Sequence, residues 1–136
     1  MSHLLVLLSF LFGSQAASSG PSLDFDIYKR DVQPALLLKR PERARCYACH
    51  SQGTAFRLQP LPEGATSWDD EASRKNFEAV QRYVVAGSPD KSRLLMLPLA
   101  ASAGGAPFHP GGKHWDTQSD PEWQRIAAWV RGTSAP

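Results

Sequence analysis

Cysteine and methionine are scarce in this chain. Of its 136 residues, two are cysteine and two are methionine. A tetrahedral zinc site of the usual structural kind needs four protein ligands, and no second cysteine pair exists to complete one. Met1 and His3 are among the first three residues of the chain. A site deeper in the chain that needs soft or aromatic ligands must therefore draw on Cys46, Cys49, Met96 and a few histidines.

Long apolar runs are equally rare, and the only one lies at the N terminus. Leu4–Phe12 is too short to span a bilayer, and small residues follow it at Ser14–Ala16. We therefore predict a signal peptide over residues 1–16 with cleavage before Ala17; the frame Gln15–Ala17 fits equally well. The segment before the run has no Lys or Arg, so an N-terminal anchor or a buried helix is the alternative.

Positive and negative charges nearly balance each other, and the formal net charge is +2. Residues 1–23 contain no Asp, Glu, Lys or Arg, so removal of the leader would leave this charge unchanged. The excess is too small to predict nucleic-acid binding, and no basic stripe interleaved with aromatic residues occurs. Residues 17–136 have the length of one small domain.

The hydrophobic pattern has helical spacing and no clear strand alternation. A first helix is predicted over Asp24–Lys39, with a kink or break at Pro34. Ser67 is the predicted N-cap of a second helix that ends at Gly87. We expect an all-α fold in which long loops join the helices.

Two further helices are predicted by cap and stop signals. A short one follows Ser88, where Pro89 occupies the first turn. The last begins near Ser119–Glu122 and ends at Gly132, with Trp123 on its apolar face. The stretch 98–116 between them is long and rich in glycine and proline, which is typical of a functional or a disordered loop.

The most specific motif is Cys46–His50, which has the pattern Cys-x-x-Cys-His of haem attachment. Two thiols three residues apart can add to the two vinyl groups of one haem, and the next residue presents an imidazole to the iron. We therefore predict one covalently bound haem c, linked to Cys46 and Cys49, with His50 as the proximal ligand.

Three other interpretations of the cysteine pair remain open. A dithiol oxidoreductase would need a βαβ context, which the sequence lacks. A zinc site would lack ligands, as stated above. A structural disulfide is possible in an oxidising compartment, but it would close a very small loop and gain little entropy.

The chain also resembles a known family, the cytochrome c domain common in Planctomycetes. The resemblance covers residues 31–132 in patches. Asp31–Pro34 is similar to the family's Asp-Val-x-Pro segment, Phe56–Leu58 to the Leu-Arg-Leu that follows the haem motif, Val85–Leu95 to a Gly/Pro-containing segment, and Glu122–Gly132 to the final helix.

This resemblance implies a small cytochrome c-like fold in which the N- and C-terminal helices pack together around one haem. It implies an electron carrier rather than an enzyme, exported to the periplasm or secreted by a bacterium, acting as a monomer on redox partner proteins. A haem enzyme, or a gas or peroxide sensor with an open iron site, is the alternative function.

The sixth iron ligand cannot be carried over by identity. The family has Met-Pro-Pro ahead of its last helix, whereas this chain has Phe108–Lys113 there, without methionine. His109 occupies this place on a loop of proline and glycine, so we predict it as the second ligand. Met96 and His114 are the alternatives, and an open site is the third. Methionine would give a higher reduction potential than a second imidazole.

Contacts to the haem carboxylates are predicted from residue type alone. Arg57, Lys113 and Trp115 could bind the propionates, since an indole N–H and a cation both suit a carboxylate. A basic run lies just before the haem motif and is more typical of a solvated surface, although it could steer an acidic partner. It consists of Lys39, Arg40, Arg43 and Arg45.

Overall fold

The computed structural model describes residues 21–133. The predicted signal peptide, residues 1–16, lies outside the described residues. Within residues 21–133 the regular structure is helical and no β-strand forms; two isolated bridges, Arg40 with Arg43 and Leu99 with Trp115, are the only β pairings there. The expected all-α class is confirmed.

Helix α1 runs from Phe25 to Leu37 and changes pitch in the middle. It consists of an α-helical turn Phe25–Ile27, a π-helical segment Tyr28–Val32 and a second α-helical piece Gln33–Leu37. Pro34 has no N–H and its ring would collide with the carbonyl four residues before it. The wider π-helical turn, in which Gln33 N–H bonds to Tyr28 O, precedes the proline. The helix is thus locally widened where a kink or a break was predicted.

Four further helices follow along the chain. Helix α2, Cys46–His50, is one turn long, and α3 spans Asp70–Gln81. Helix α4, Arg93–Met96, is short and follows a 3₁₀ turn at Pro89–Lys91, and α5 spans Pro121–Arg131. None of the helices in residues 21–133 is both long enough and apolar enough to cross a membrane.

The N-cap predicted for the second long helix was wrong. Asp69, not Ser67, caps α3, because its carboxylate accepts the Ala72 N–H at 2.8 Å. Trp68 is thereby left outside the helix, where it is 5% exposed and donates its indole N–H to Gln59 O. An aspartate is as good a cap as a serine, so the sequence allowed both starts.

The first and last helices pack against each other. Tyr28 and Trp129 are both fully buried, with ring centres 5.8 Å apart. The indole of Trp129 donates to the Asp24 carbonyl at 2.8 Å, which ties α5 to the start of α1. Helix α5 begins behind Asp120 and ends at Gly132, whose positive φ of 77° terminates it.

The long segment between α4 and α5 is anchored at both ends. Ala106 N–H bonds to Met96 O at the end of α4, and Ala100 N–H bonds to Trp115 O farther along the segment. Between those anchors lies an exposed turn that contains His109. Residues of this turn and of α2 line the same cavity, which is described next.

A cavity lined by two thiols and three imidazoles

Helix α2 presents its three motif side chains on one face. Cys46, Cys49 and His50 are at positions i, i+3 and i+4, which share a face of an α-helix. All three line one cavity of about 350 Å³. Tyr47 lies between them in sequence and points elsewhere, because its hydroxyl accepts the Leu61 N–H at 2.8 Å.

The two thiols are not joined to each other. Cys46 is half-buried and Cys49 is exposed. Burial raises the pKa of the Cys46 thiol, and the nearby Arg40 guanidinium opposes that rise. Cys46 is therefore held as a neutral thiol that faces the cavity.

The rest of the lining is mainly apolar and comes from several segments of the chain. Side chains of α1, α4 and α5 form one wall and the loop after α2 forms another. Their members include Ala35, Leu36, Phe56, Leu94, Leu97, Trp115 and Ile126. The volume lies within the range of about 300–1,000 Å³ that is usual for small-molecule sites.

His50 is fixed in one orientation by its own loop. Its Nδ1 lies 2.8 Å from the Phe56 carbonyl and 3.1 Å from Thr54 Oγ1. A carbonyl only accepts, so Nδ1 carries the hydrogen and Nε2 keeps its lone pair. Burial lowers the pKa of His50, the Phe56 carbonyl partly offsets this, and a charge on His109 would lower it further. The ring is therefore a neutral imidazole with a free nitrogen.

His109 is oriented in the same way from the opposite loop. Its Nδ1 donates to the Gly112 carbonyl at 2.8 Å, so in the neutral tautomer Nε2 is the nitrogen with the lone pair. Gly111 allows this close turn, because a Cβ there would lie only 3.2 Å from His109 Cε1. In the part of the chain that the structure describes, neither His50 nor His109 makes a hydrogen bond through Nε2.

The His50 and His109 rings line the same cavity and are nearly parallel. Their centres are 6.4 Å apart and their planes are 20° from parallel. Two imidazoles that share one metal ion from opposite sides have ring centres about 6.3 Å apart, since each metal–nitrogen bond is ~2.0–2.1 Å and each nitrogen lies ~1.1 Å from its ring centre. The observed spacing matches this distance.

The third histidine of the cavity, His114, is held differently. It is 4% exposed, its backbone N–H bonds to Pro98 O, and its Nδ1 faces the Arg40 guanidinium at 3.5 Å. Arginine only donates, so the neutral ring accepts at Nδ1 and carries its hydrogen on Nε2. Burial, then Arg40, lowers the pKa of His114 to about 4. Its ring centre is 6.0 Å from that of His109.

Met96 and the residues predicted to contact carboxylates lie apart from this arrangement, with one exception. Met96 packs against the hydrophobic core and does not line the cavity. Arg57 is exposed and Lys113 pairs with Asp116, and neither lines the cavity. Trp115 does line it, but its indole N–H is bonded to Glu122 at 3.1 Å.

A buried ion pair behind the cavity was not predicted. Arg40 was assigned to a solvated basic run, yet its side chain is only 12% exposed and pairs with Glu122, which is 13% exposed. Glu122 also accepts from Trp115, so the pair joins the loop after α1 to the start of α5. The two residues are far apart in sequence, and no local pattern could have matched them.

Among residues 21–133, no group of three or more His, Cys, Asp or Glu side chains is placed to hold a bare metal ion. The chain has no significant match among models of known protein families, among curated proteins or among solved structures.

Proposed function

We propose that this chain is a monohaem c-type cytochrome that carries single electrons. Cys46 and Cys49 would hold the haem through covalent bonds, and His50 and His109 would bind its iron. One observation carries the proposal: the two imidazoles, with ring centres 6.4 Å apart, line the same cavity as both thiols.

The donor set fits a haem better than a free ion. Two imidazoles fill only two of the six positions of an octahedral metal. A porphyrin can fill the other four, because it has four nitrogens in one plane. The apolar lining suits a flat, apolar macrocycle, and thiols at i and i+3 suit two attachment points on one edge.

A bound haem supplies the one-electron redox couple, and the residues of this chain tune it. Phe56 and Gly112 hold the two imidazoles by hydrogen bonds to Nδ1, which fixes each ring and makes each Nε2 a stronger donor. Rings that are already oriented need little movement when the charge of the site changes. A second imidazole in place of methionine sets a lower reduction potential.

The surrounding fold supports the same proposal. The first and last helices pack through Tyr28 and Trp129, which is the arrangement that the resemblance to cytochrome c domains implies. The proposal includes export and redox partner proteins outside the cytoplasmic membrane, because cysteine-linked haem is attached there in bacteria.

The optical spectrum of the protein tests this proposal, if it is produced in a bacterial host with a cytochrome c maturation system. We expect a low-spin spectrum with two imidazole ligands and no near-infrared sulfur-to-iron band. The double variant Cys46→Ala, Cys49→Ala is the matched control, and it should contain no covalently bound haem. A double variant that retains covalent haem would reject the assignment of the attachment sites.

Carbon monoxide separates electron transfer from the alternative function. An iron with two strong protein ligands does not bind carbon monoxide readily, whereas an open site in a haem enzyme or a gas sensor does. Rapid binding by the reduced wild-type protein would favour the enzyme or sensor and would reject His109 as a permanent ligand.

A further inference from the structure

Two arginines at the cavity have no acidic partner. Arg45 and Arg93 both line it, and neither forms a salt bridge with a carboxylate in residues 21–133. The neighbouring cations differ, since Arg40 pairs with Glu122 and Arg43 lies near Asp116. A cation beside an apolar cavity is stabilised when an anion binds there.

Each of these arginines is held by an aromatic ring. The guanidinium carbon of Arg45 lies 5.9 Å from the centre of the Tyr47 ring, and that of Arg93 lies 5.4 Å from the centre of the Tyr83 ring. Such stacking restrains the planar guanidinium and leaves its N–H groups free to donate. Both side chains are exposed, and their N–H groups remain able to form hydrogen bonds.

Their positions in the fold bring two separate cations to one cavity. Arg45 is the residue before α2, next to the thiols, and Arg93 opens α4, next to Leu94 of the apolar wall. Tyr83 also lines the cavity and contacts Phe56 at 5.0 Å between ring centres, so Arg93 is joined to the loop that orients His50.

We propose that Arg45 and Arg93 bind the two propionate carboxylates of the haem, a step that rests on the function proposed above. A guanidinium fork matches a carboxylate with two parallel hydrogen bonds. The cations expected from sequence are placed less well for this role, because Arg57 does not line the cavity and Lys113 is paired with Asp116. The chemical class of ligand is a pair of alkyl carboxylates on an apolar body.

The same two cations could instead bind an acidic partner protein. The isolated protein separates these two roles. There the arginines lower the pKa of the propionates only if they contact them. A guanidinium in contact holds the pKa of a carboxyl below its usual value, by about one to three units.

The test is an infrared titration of the holoprotein that carries haem labelled with carbon-13 in its propionate carboxyls. We expect Arg45→Gln and Arg93→Gln each to raise the pKa of one labelled carboxyl by about one unit. Arg57→Gln and Lys113→Gln are the matched controls and should leave both values unchanged. Arg45→Lys and Arg93→Lys retain the charge without the fork, so they should give a smaller rise and serve where a Gln variant does not fold.

The outcomes separate the two proposals. Wild-type protein without covalent haem would reject the proposed function before any variant is read. If the wild-type protein has covalent haem but the variants of Arg45 or of Arg93 leave the pKa of both labelled carboxyls unchanged, only this assignment would be overturned. Equal shifts in the control variants would also overturn it, since they would show a general effect of charge.

Discussion

The imidazole rings of His50 and His109 have their centres 6.4 Å apart, and their planes are 20° from parallel. Each ring is oriented through Nδ1 by a backbone carbonyl of its own loop, Phe56 for one and Gly112 for the other. Two loops from distant parts of the chain thus bring two imidazoles to one cavity. This relationship underlies the assignment of both rings as iron ligands.

His109→Ala should change the spin state of the oxidised protein. Loss of the second imidazole leaves one axial position open, so the iron should become high-spin and the reduced protein should bind carbon monoxide. Met96→Leu is the control and should leave the spectrum intact, because Met96 does not line the cavity. If Met96→Leu gave the high-spin spectrum and His109→Ala did not, Met96 would be the ligand; an effect confined to His114→Ala would identify His114.

Gly111→Ala should weaken the proposed bond between His109 and the haem iron without removing it. A Cβ at position 111 would lie 3.2 Å from His109 Cε1, so the ring must shift by a few tenths of an ångström. Overpacking of this size costs about 1 kcal/mol, which corresponds to about a five-fold easier displacement of His109 by added imidazole.

Spectral titration with imidazole measures this displacement. Gly53→Ala is the matched control, since a Cβ at position 53 meets no atom within 4 Å. Equal affinity in the Gly111 variant and the wild type would show that His109 is not held in the observed position.

Asp31 should make stability depend on pH in acid solution. Arg30 donates to both of its carboxylate oxygens, at 2.8 and 2.6 Å, and this lowers the pKa of Asp31. The stabilisation is present above the pKa of the unfolded chain, roughly 3.9, and is lost as the pH falls through the lower folded value.

Arg30→Gln should therefore lower the urea midpoint near neutral pH, and its difference from the wild type should vanish once Asp31 is protonated in both states. Arg82→Gln is an exposed control in which no such difference is expected. A difference between Arg30→Gln and wild type that stays constant down to strongly acidic pH would contradict the role of Asp31.

Trp129→Phe should lower the free energy of unfolding by about 2 kcal/mol, because it leaves the Asp24 carbonyl without its donor and removes buried volume. The matched control is Trp123→Phe on the same helix. Its indole N–H is buried and has no hydrogen-bond partner among the described residues, so its loss should cost less. Urea unfolding measures both; an equal or larger cost at Trp123 would contradict the role of the hydrogen bond.

Parts of the fold that depend on local signals were predictable. The last helix has an acidic N-cap, proline in its first turn and glycine at its end, and the structure begins and ends it there. The start of α3 was less determined, since Ser67 and Asp69 are both good caps and packing of Trp68 favours the later one. The π-helical turn before Pro34 depends on how the chain accommodates the ring, which the sequence does not specify.

The candidate site also has parts that the sequence predicts and parts that it does not. The face shared by Cys46, Cys49 and His50 follows from their spacing. His109 lines the same cavity, and its role as a ligand stays a prediction. The ion pair of Arg40 with Glu122 was not predictable, because it depends on tertiary contact between distant segments.

The central claim is that one haem is bound covalently by Cys46 and Cys49. Its most direct test is the intact mass of the polypeptide after acid–acetone extraction, for protein made with a cytochrome c maturation system. The account predicts that the polypeptide retains the mass of one haem and that the Cys46→Ala, Cys49→Ala variant does not. A wild-type polypeptide that has lost all haem after extraction would contradict it.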